Sequence, residues 1–180
     1  MIKPTLILLN GPAGIGKTTI AQRYIDEHPL ALSVSNDALV AMLGQWLQHE
    51  DEAWKMVFNF TCDMARRHLQ AGHDVVLPYL VRDGAQAETF AQIAAESGAT
   101  FREVLLTTSK PEAVQRMLRR GTWGEEGAPP LTEADVPIIE QLYDMVHANL
   151  DSKSHVAVIQ SIEGDIDGTY AEFLKHVTKA

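Results

Sequence analysis

The residues best suited to chemistry form a glycine-rich run near the N-terminus, which satisfies the pattern G-x-x-x-x-G-K-[ST]. The run consists of Gly11, Pro12, Ala13, Gly14, Ile15, Gly16, Lys17, Thr18 and Thr19. Its glycines let successive backbone N–H groups turn toward an anion, and a following helix adds its positive N-terminal end. Lys17 would bridge the outer phosphates of ATP, and Thr18 would place its hydroxyl on Mg²⁺. A plain glycine-rich turn is the alternative, but the run lies between an apolar strand and a helix start, which favours phosphate binding.

Asp37 is the second candidate for chemistry. It ends the segment Ser35-Asn36-Asp37, just beyond the second predicted strand. The carboxyl edge of a parallel sheet is where open α/β folds bind ligands, and a carboxylate there can accept a hydroxyl proton. The alternative is that Asp37 or Asn36 only caps the following helix.

Three arginines, Arg116, Arg119 and Arg120, precede a segment rich in glycine and proline. Arg116 and Arg120 lie one helical turn apart and point the same way, so they could clamp phosphates, and Arg120 is the preferred catalytic candidate. The alternative is a solvated basic helix end that is stabilised by the helix dipole. Residues 121–132 are predicted to form a lid that shields the reacting groups from water, with a disordered surface loop as the alternative.

Short apolar strands that alternate with helices must hold these groups in place. Strands are predicted at 6–9, 30–34, 75–80, 101–107 and 156–160, and helices at 18–27, 37–49, 52–70, 84–96, 109–120, 132–150 and 170–177. Ser109 with Glu112, and Thr132 with Asp135, have the spacing of helix-capping boxes. Parallel strands need crossover connections, so this alternation predicts an α/β fold, a three-layer α/β/α sandwich around a mostly parallel sheet.

Composition limits the kind of protein. The chain has 180 residues, which suits one domain over residues 1–180. The formal net charge of -9 and the lack of a basic stripe disfavour a nucleic-acid partner and favour a small molecule. The single cysteine, Cys62, excludes an internal disulfide, and no apolar run is long enough to span a membrane. A cytoplasmic protein is therefore expected, whereas its oligomeric state, monomer or dimer, does not follow from the residues.

Taken together, these segments resemble the small P-loop kinases of the nucleoside-monophosphate-kinase-like group within the AAA-type ATP-binding family. The relatives include chloramphenicol phosphotransferase, gluconate and shikimate kinases, and zeta-toxin-like proteins. The resemblance implies a P-loop NTPase fold with a five-stranded parallel sheet in the order 2-3-1-4-5. It also implies that Asp37 is the base for the acceptor hydroxyl, that Arg116 stacks on adenine and that Arg120 reaches the transferred phosphate.

The same resemblance implies an acceptor site in a helical insertion over about residues 37–70. Trp46, Trp54, Phe58 and Tyr79 could line a pocket there, although most of these aromatic residues are expected in the core. Arg82 follows the third strand and could hold an anionic or hydroxyl-rich acceptor, or it could form a surface salt bridge.

The sequence departs from these relatives at two positions. Several relatives end the third strand in an acid that helps to hold Mg²⁺, where this chain has Pro78-Tyr79, so a second magnesium carboxylate is in doubt. The first of the two acids of shikimate kinase is replaced by Ser35, which lowers the support for shikimate or gluconate as the substrate.

The function expected from the sequence is an ATP- and Mg²⁺-dependent transfer of a phosphoryl group to a hydroxyl of a metabolite or antibiotic. Lys17, Asp37 and Arg120 would carry the reaction, and Asp37, Arg82, Tyr79 and Trp54 would contact the acceptor. The alternatives are a nucleotide-binding ATPase or switch protein without such an acceptor, and a zeta-toxin-like kinase of nucleotide sugars.

Overall fold

The computed structural model describes residues 3–148 and 156–178. Its centre is a five-stranded, entirely parallel sheet in the order β2-β3-β1-β4-β5. The strands are β1 (Thr5–Asn10), β2 (Leu32–Ser33), β3 (Val75–Tyr79), β4 (Thr100–Thr107) and β5 (Ala157–Gln160). The predicted fold class and strand order are confirmed.

Helices cover both faces of the sheet. They are α1 (Lys17–Glu27), α2 (Asn36–Ala41), α3 (Glu50–Gln70), α4 (Gly84–Glu96), α5 (Lys110–Arg120), α6 (Val136–Ala148) and α7 (Ile166–Val177). Short 3-10 turns at Trp46–Gln48 and Glu133–Asp135 precede α3 and α6. Buried side chains of α3 and α4 form one core layer, and those of α1 and α7 form the other.

The central strand β1 shows why the sheet is covered on both sides. Every residue of β1 is buried, and successive side chains point to opposite faces. Leu6 and Leu8 therefore pack toward α3 and α4, whereas Ile7 and Leu9 pack toward α1 and α7. A continuous apolar strand of this kind is typical of a parallel sheet, and it ends where the glycine-rich run begins.

Two predicted elements around Asp37 differ from the observed ones. Strand β2 spans two residues rather than 30–34, because Leu30 has a left-handed backbone (φ 61°) and is 69% exposed. The predicted helix over 37–49 is broken after Ala41, and Gln45 is also left-handed (φ 56°) before a 3-10 turn. Trp46 and Val57 meet in a small apolar cluster that holds this bend against α3.

The helix caps agree with the sequence in one case and differ in the other. Ser109 precedes α5 but makes no side-chain cap, since Glu112 instead accepts a hydrogen bond from Thr108 (2.5 Å). Thr132 and Asp135 form the predicted capping box. The predicted last residues of α6, 149 and 150, lie outside the described residues.

Among the residues that the structure describes, no helix combines the length and the apolar character that crossing a membrane requires.

Candidate functional site

The glycine-rich run forms the turn from β1 into α1. Gly14 (φ 72°) and Gly16 (φ 103°) have the left-handed conformations that glycine adopts without strain, and Gly16 is the N-cap of α1. A Cβ on Gly14 would lie 2.8 Å from the sulfur of Met117, so the turn also packs closely on α5. Because no side chain caps α1, its first N–H groups remain free for an anion.

Lys17 is held inside this turn. Its Nζ donates to the backbone oxygens of Gly11 and Pro12, each at 2.8 Å. Burial lowers the pKa of Lys17 to about 8, although the nearby Asp37 carboxylate favours the charged form. The ammonium group therefore lies where a triphosphate could replace two carbonyl partners.

Asp37 faces the turn from the first turn of α2. Ser35 is the N-cap of this helix and accepts from the N–H of Ala38 (3.4 Å), so Asp37 is not used as the cap. Burial raises the pKa of Asp37, while the charges of Lys17 and Arg120 act in the opposite direction. A carboxylate with a raised pKa is a more effective proton acceptor near neutral pH than an exposed one.

A cavity of about 440 Å³ contains most of the residues predicted for the site. Its lining includes Ala13, Gly14, Ile15, Gly16, Lys17, Thr18, Thr19, Asp37, Trp54, Tyr79, Arg82 and Arg120. Gly11, Pro12 and Arg116 are not among its lining residues. The cavity thus connects the phosphate-binding turn to the side chains predicted for the acceptor.

The acceptor end of the cavity combines aromatic and polar groups. The guanidinium carbon of Arg82 lies 5.8 Å from the centre of the Trp54 ring, in a cation–π contact. Burial raises the pKa of Tyr79 to about 12, so its hydroxyl stays protonated and can donate. Asn36 and Gln86 also line the cavity, and sequence reasoning assigned neither to the acceptor.

Trp46 and Phe58 do not line this cavity. Trp46 packs edge-on against Trp54 with ring centres 6.3 Å apart, and Phe58 packs against Phe90 at 5.5 Å. Trp46 and Phe58 therefore pack as the sequence predicts for most aromatic residues of this region. Trp54 and Tyr79 line the cavity instead.

Arg116, which the resemblance predicts to stack on adenine, is largely buried beside the phosphate-binding turn. Its side chain is 7% exposed and forms an ion pair with Glu112. It also donates to the Ser161 hydroxyl (3.2 Å) and backbone oxygen (2.9 Å), and the Ser161 hydroxyl in turn donates to the Ile15 oxygen (3.0 Å). In this geometry Arg116 connects α5 to the end of β5 and to the phosphate-binding turn.

A second cavity, of about 370 Å³, lies beside the same turn. It shares Gly14, Ile15, Gly16, Thr19 and Arg120 with the first cavity, and its other wall is the segment from Ser161 to Ile166. Arg119 reaches across to Glu163 with an ion pair of 2.6 Å. The two cavities therefore lie next to each other along the loop that would hold a triphosphate.

The segment predicted to form a lid contributes Trp123 and Glu125 to the lining of the first cavity. Thr122 and Pro130 pair as an antiparallel bridge, and the N–H of Leu131 donates to the Gly121 oxygen (3.0 Å). Trp123 packs against an apolar cluster that includes Val114 and Met117 of α5, and Ala13 of the phosphate-binding turn packs against the same cluster.

Gly124 lies directly against the catalytic candidates. A Cβ there would overlap the guanidinium group of Arg120 and lie 3.0 Å from an oxygen of Asp37. Trp123, Gly124 and Glu125 were not among the individual residues predicted for the site, although an aromatic and an acid beside glycines in a lid were an available signal.

The residues present fit a nucleoside triphosphate and, in part, its magnesium ion. The turn supplies free N–H groups and Lys17, and Thr18 presents its side chain to the first cavity. Within the described residues there is no group of three or more His, Cys, Asp or Glu side chains that could hold a metal ion. Thr18 is therefore the candidate ligand, with the phosphates and water completing the shell, as is usual for Mg²⁺.

Similar folds occur in several solved structures. A candidate kinase from Chloroflexus aurantiacus is 18% identical, with a TM-score of 0.73 over 98% of this chain and 100% of that chain. A gluconokinase from Sinorhizobium meliloti is 14% identical, with a TM-score of 0.56 over 97% and 91%. A chain of the Pnkp1/Rnl/Hen1 RNA repair complex is 17% identical, with a TM-score of 0.59 over 83% of this chain and 46% of that chain.

At these identities the likeness shows the fold alone. No curated protein matches the sequence significantly. The family model AAA_33, described as an AAA domain, matches residues 6–156, which is most of the chain. The protein therefore belongs to the AAA_33 family and has the fold of a small P-loop kinase.

Proposed function

We propose that the protein is an ATP- and Mg²⁺-dependent phosphotransferase that acts on a hydroxyl group of a small molecule. One observation carries the proposal. Lys17, Asp37 and Arg120 converge on a single cavity that has the phosphate-binding turn at one end and Trp54 and Tyr79 at the other.

The turn and its cations would bind and orient the triphosphate. Lys17 would exchange its two carbonyl partners for outer phosphate oxygens, and Arg120 would face the phosphoryl group that is transferred. A magnesium ion, when bound at Thr18, supplies charge neutralisation on the phosphate oxygens. Most of the rate enhancement would then come from positioning and electrostatic stabilisation.

Asp37 would act on the acceptor. As the acceptor oxygen forms its bond to phosphorus, the carboxylate of Asp37 takes the hydroxyl proton, and the bond from phosphorus to the leaving oxygen of ADP breaks. The raised pKa of Asp37 supports this role, because the carboxylate competes better for a proton. The closed lid would exclude the water that would otherwise accept the phosphoryl group.

The second cavity supports the proposal by offering a place for the nucleoside. It adjoins the turn on the side away from Asp37, between Arg119 and the segment that follows β5. Arg116 and Arg119 of α5 both line it, and both guanidinium groups have partners: Arg116 pairs with Glu112 and Ser161, and Arg119 pairs with Glu163. The stacking of Arg116 on adenine therefore stays a prediction, and Arg119 is a second candidate on the same wall of the cavity.

The experiment that tests the function is incubation with ATP, Mg²⁺ and a panel of metabolites and antibiotics that carry hydroxyl groups. Mass spectrometry should find one panel member that gains a phosphoryl group. Asp37→Asn should lower this transfer by about 10²- to 10⁴-fold and leave ATP affinity nearly unchanged, because the carboxylate acts on the acceptor. Asp26→Asn, at an exposed position on α1, is the matched control and should transfer normally.

Two results would contradict the proposal. Full transfer by Asp37→Asn would remove the base assignment. ATP hydrolysis that no panel member diverts, and that Asp37→Asn leaves unchanged, would favour a nucleotide switch instead.

A further inference from the structure

The lid residue Glu125 belongs to the first cavity but has no role in the reaction described above. It follows Gly124, the residue that lies against Asp37 and Arg120, and its backbone oxygen accepts from the N–H of Ala128 (3.3 Å) in a turn. Ala128 in turn packs on the apolar cluster between α2 and α3. The lid tip that carries Glu125 is thus held on the acceptor side of the cavity.

One carboxylate oxygen of Glu125 lacks a partner. Its Oε2 atom is shielded from solvent and forms no hydrogen bond. Burial raises the pKa of Glu125, and the charge of Asp37 adds to this effect, while Arg120 and Arg82 oppose it. A shielded carboxylate oxygen without a donor is costly. Because Glu125 lines the cavity, a donor of a bound acceptor would reach this oxygen with a small adjustment of the lid tip.

The other charged groups of the cavity would have partners in the proposed complex with ATP. Lys17 and Arg120 would be neutralised by phosphates, and Asp37 would face the reacting hydroxyl. Arg82 is exposed at the rim, where it packs on Trp54. Glu125 then remains as a carboxyl group in the wall of a cavity that would also contain a net-negative magnesium–triphosphate complex, so an anionic acceptor group beside it would be repelled.

We propose that Glu125 determines acceptor specificity by binding a second hydrogen-bond donor of the acceptor, near the hydroxyl that Asp37 deprotonates. The acceptor is accordingly a polyol or an amino alcohol rather than a hydroxy acid. This inference rests on the proposed function, because it assigns a substrate class to the same cavity.

The test compares binding and transfer for three probe classes of similar size: polyols, amino alcohols and hydroxy acids. Binding is measured by calorimetry with Mg²⁺ and a non-hydrolysable ATP analogue, and transfer by mass spectrometry with ATP. Wild-type protein should prefer a polyol or an amino alcohol. Glu125→Gln should weaken the binding of that probe by about 10- to 100-fold, the usual effect of removing a charge-assisted hydrogen bond. A larger loss for the amino alcohol than for the polyol would identify an ammonium group as the donor.

The matched control is Glu126→Gln, which changes the neighbouring, exposed carboxylate of the same lid and should leave both measurements unchanged. The inference would be overturned if the protein preferred hydroxy acids, if it bound all three classes equally or bound none of them, or if Glu125→Gln behaved like the wild-type protein. A higher Mg²⁺ requirement in Glu125→Gln would also overturn it, because Glu125 would then serve the metal.

The two proposals can fail separately. Selective, Glu125-dependent binding without transfer to any probe would contradict the phosphotransferase function but not the recognition role. Transfer to an acceptor that has a single hydroxyl and no other donor would support the function and refute the role of Glu125.

Discussion

At the scale of a single residue, the burial of Lys17 has two opposing effects on phosphate binding. The side chain must be desolvated to interact strongly with phosphate, but desolvation also favours loss of its proton. The turn limits this loss by giving the ammonium group two carbonyl acceptors, and Asp37 adds an attractive charge. The result is a pKa of about 8, close enough to neutral pH to affect binding.

The affinity for ATP should therefore fall as pH rises above about 8. The bound triphosphate favours the protonated form of Lys17, so binding at high pH must take up a proton, whereas below this pKa the proton is already present. The expected loss approaches about tenfold per pH unit above the pKa. Calorimetry in buffers of different ionisation enthalpy would measure both the affinity and the proton uptake. Lys17→Ala should bind more weakly and without this pH dependence; an identical dependence in that variant would assign it to another group.

The conformation of the lid segment depends on a single residue, Gly124. The antiparallel bridge between Thr122 and Pro130 closes the loop, and Trp123 fixes one side of it on α5. Gly124 then lies on Asp37 and Arg120 with φ of 119°, where both the backbone conformation and the contact exclude a side chain. The observed position of this segment therefore requires glycine at 124 for two independent reasons.

Gly124→Ala should hold the lid open. Turnover should fall by about 10- to 100-fold because water is no longer excluded and Arg120 is displaced, while ATP should still bind through the turn. Steady-state turnover and calorimetry would separate the two effects. Gly127→Ala is the matched control, since Gly127 has a positive φ of 87° but open space where a Cβ would lie, so it reports backbone strain alone. Equal losses in both variants would mean that strain, rather than contact with Asp37 and Arg120, explains the effect.

At the scale of the whole molecule, two apolar layers hold the sheet and thereby the site. Phe173 of α7 is completely buried and packs with Tyr24 and Tyr170, on the face of the sheet that also supports α1. Phe60 of α3 is 42% exposed. The same residue type thus occurs in two very different environments.

Phe173→Ala should lower the free energy of unfolding by about 3 to 5 kcal/mol, because it leaves a cavity between α7 and α1. Phe60→Ala should cost about 1 kcal/mol or less, since less apolar surface is lost and no closed cavity forms. Urea denaturation with a common m-value would measure the difference. Similar costs for the two variants would mean that the α7 layer packs loosely or that Phe60 is covered.

Local chemistry explains which features the residues alone could predict. The glycine pattern, Lys17 and the alternation of apolar strands with helices are local signals, so they were sufficient to predict the phosphate-binding turn, the fold class and, through the resemblance, the strand order. Asp37 and Arg120 were chosen by their positions at element ends, and the cavity contains both.

The meeting of distant segments depends instead on tertiary packing. Arg116 and Arg119 look equivalent in the sequence, but Arg116 is buried against Ser161, which is 45 residues away along the chain, whereas Arg119 is exposed and pairs with Glu163. Likewise, nothing local separates Glu125 from Glu126, and only the docking of the lid places one in the wall of the cavity and leaves the other in solvent. Contacts between residues far apart in sequence depend on how the whole chain packs, and no pattern within a segment encodes them.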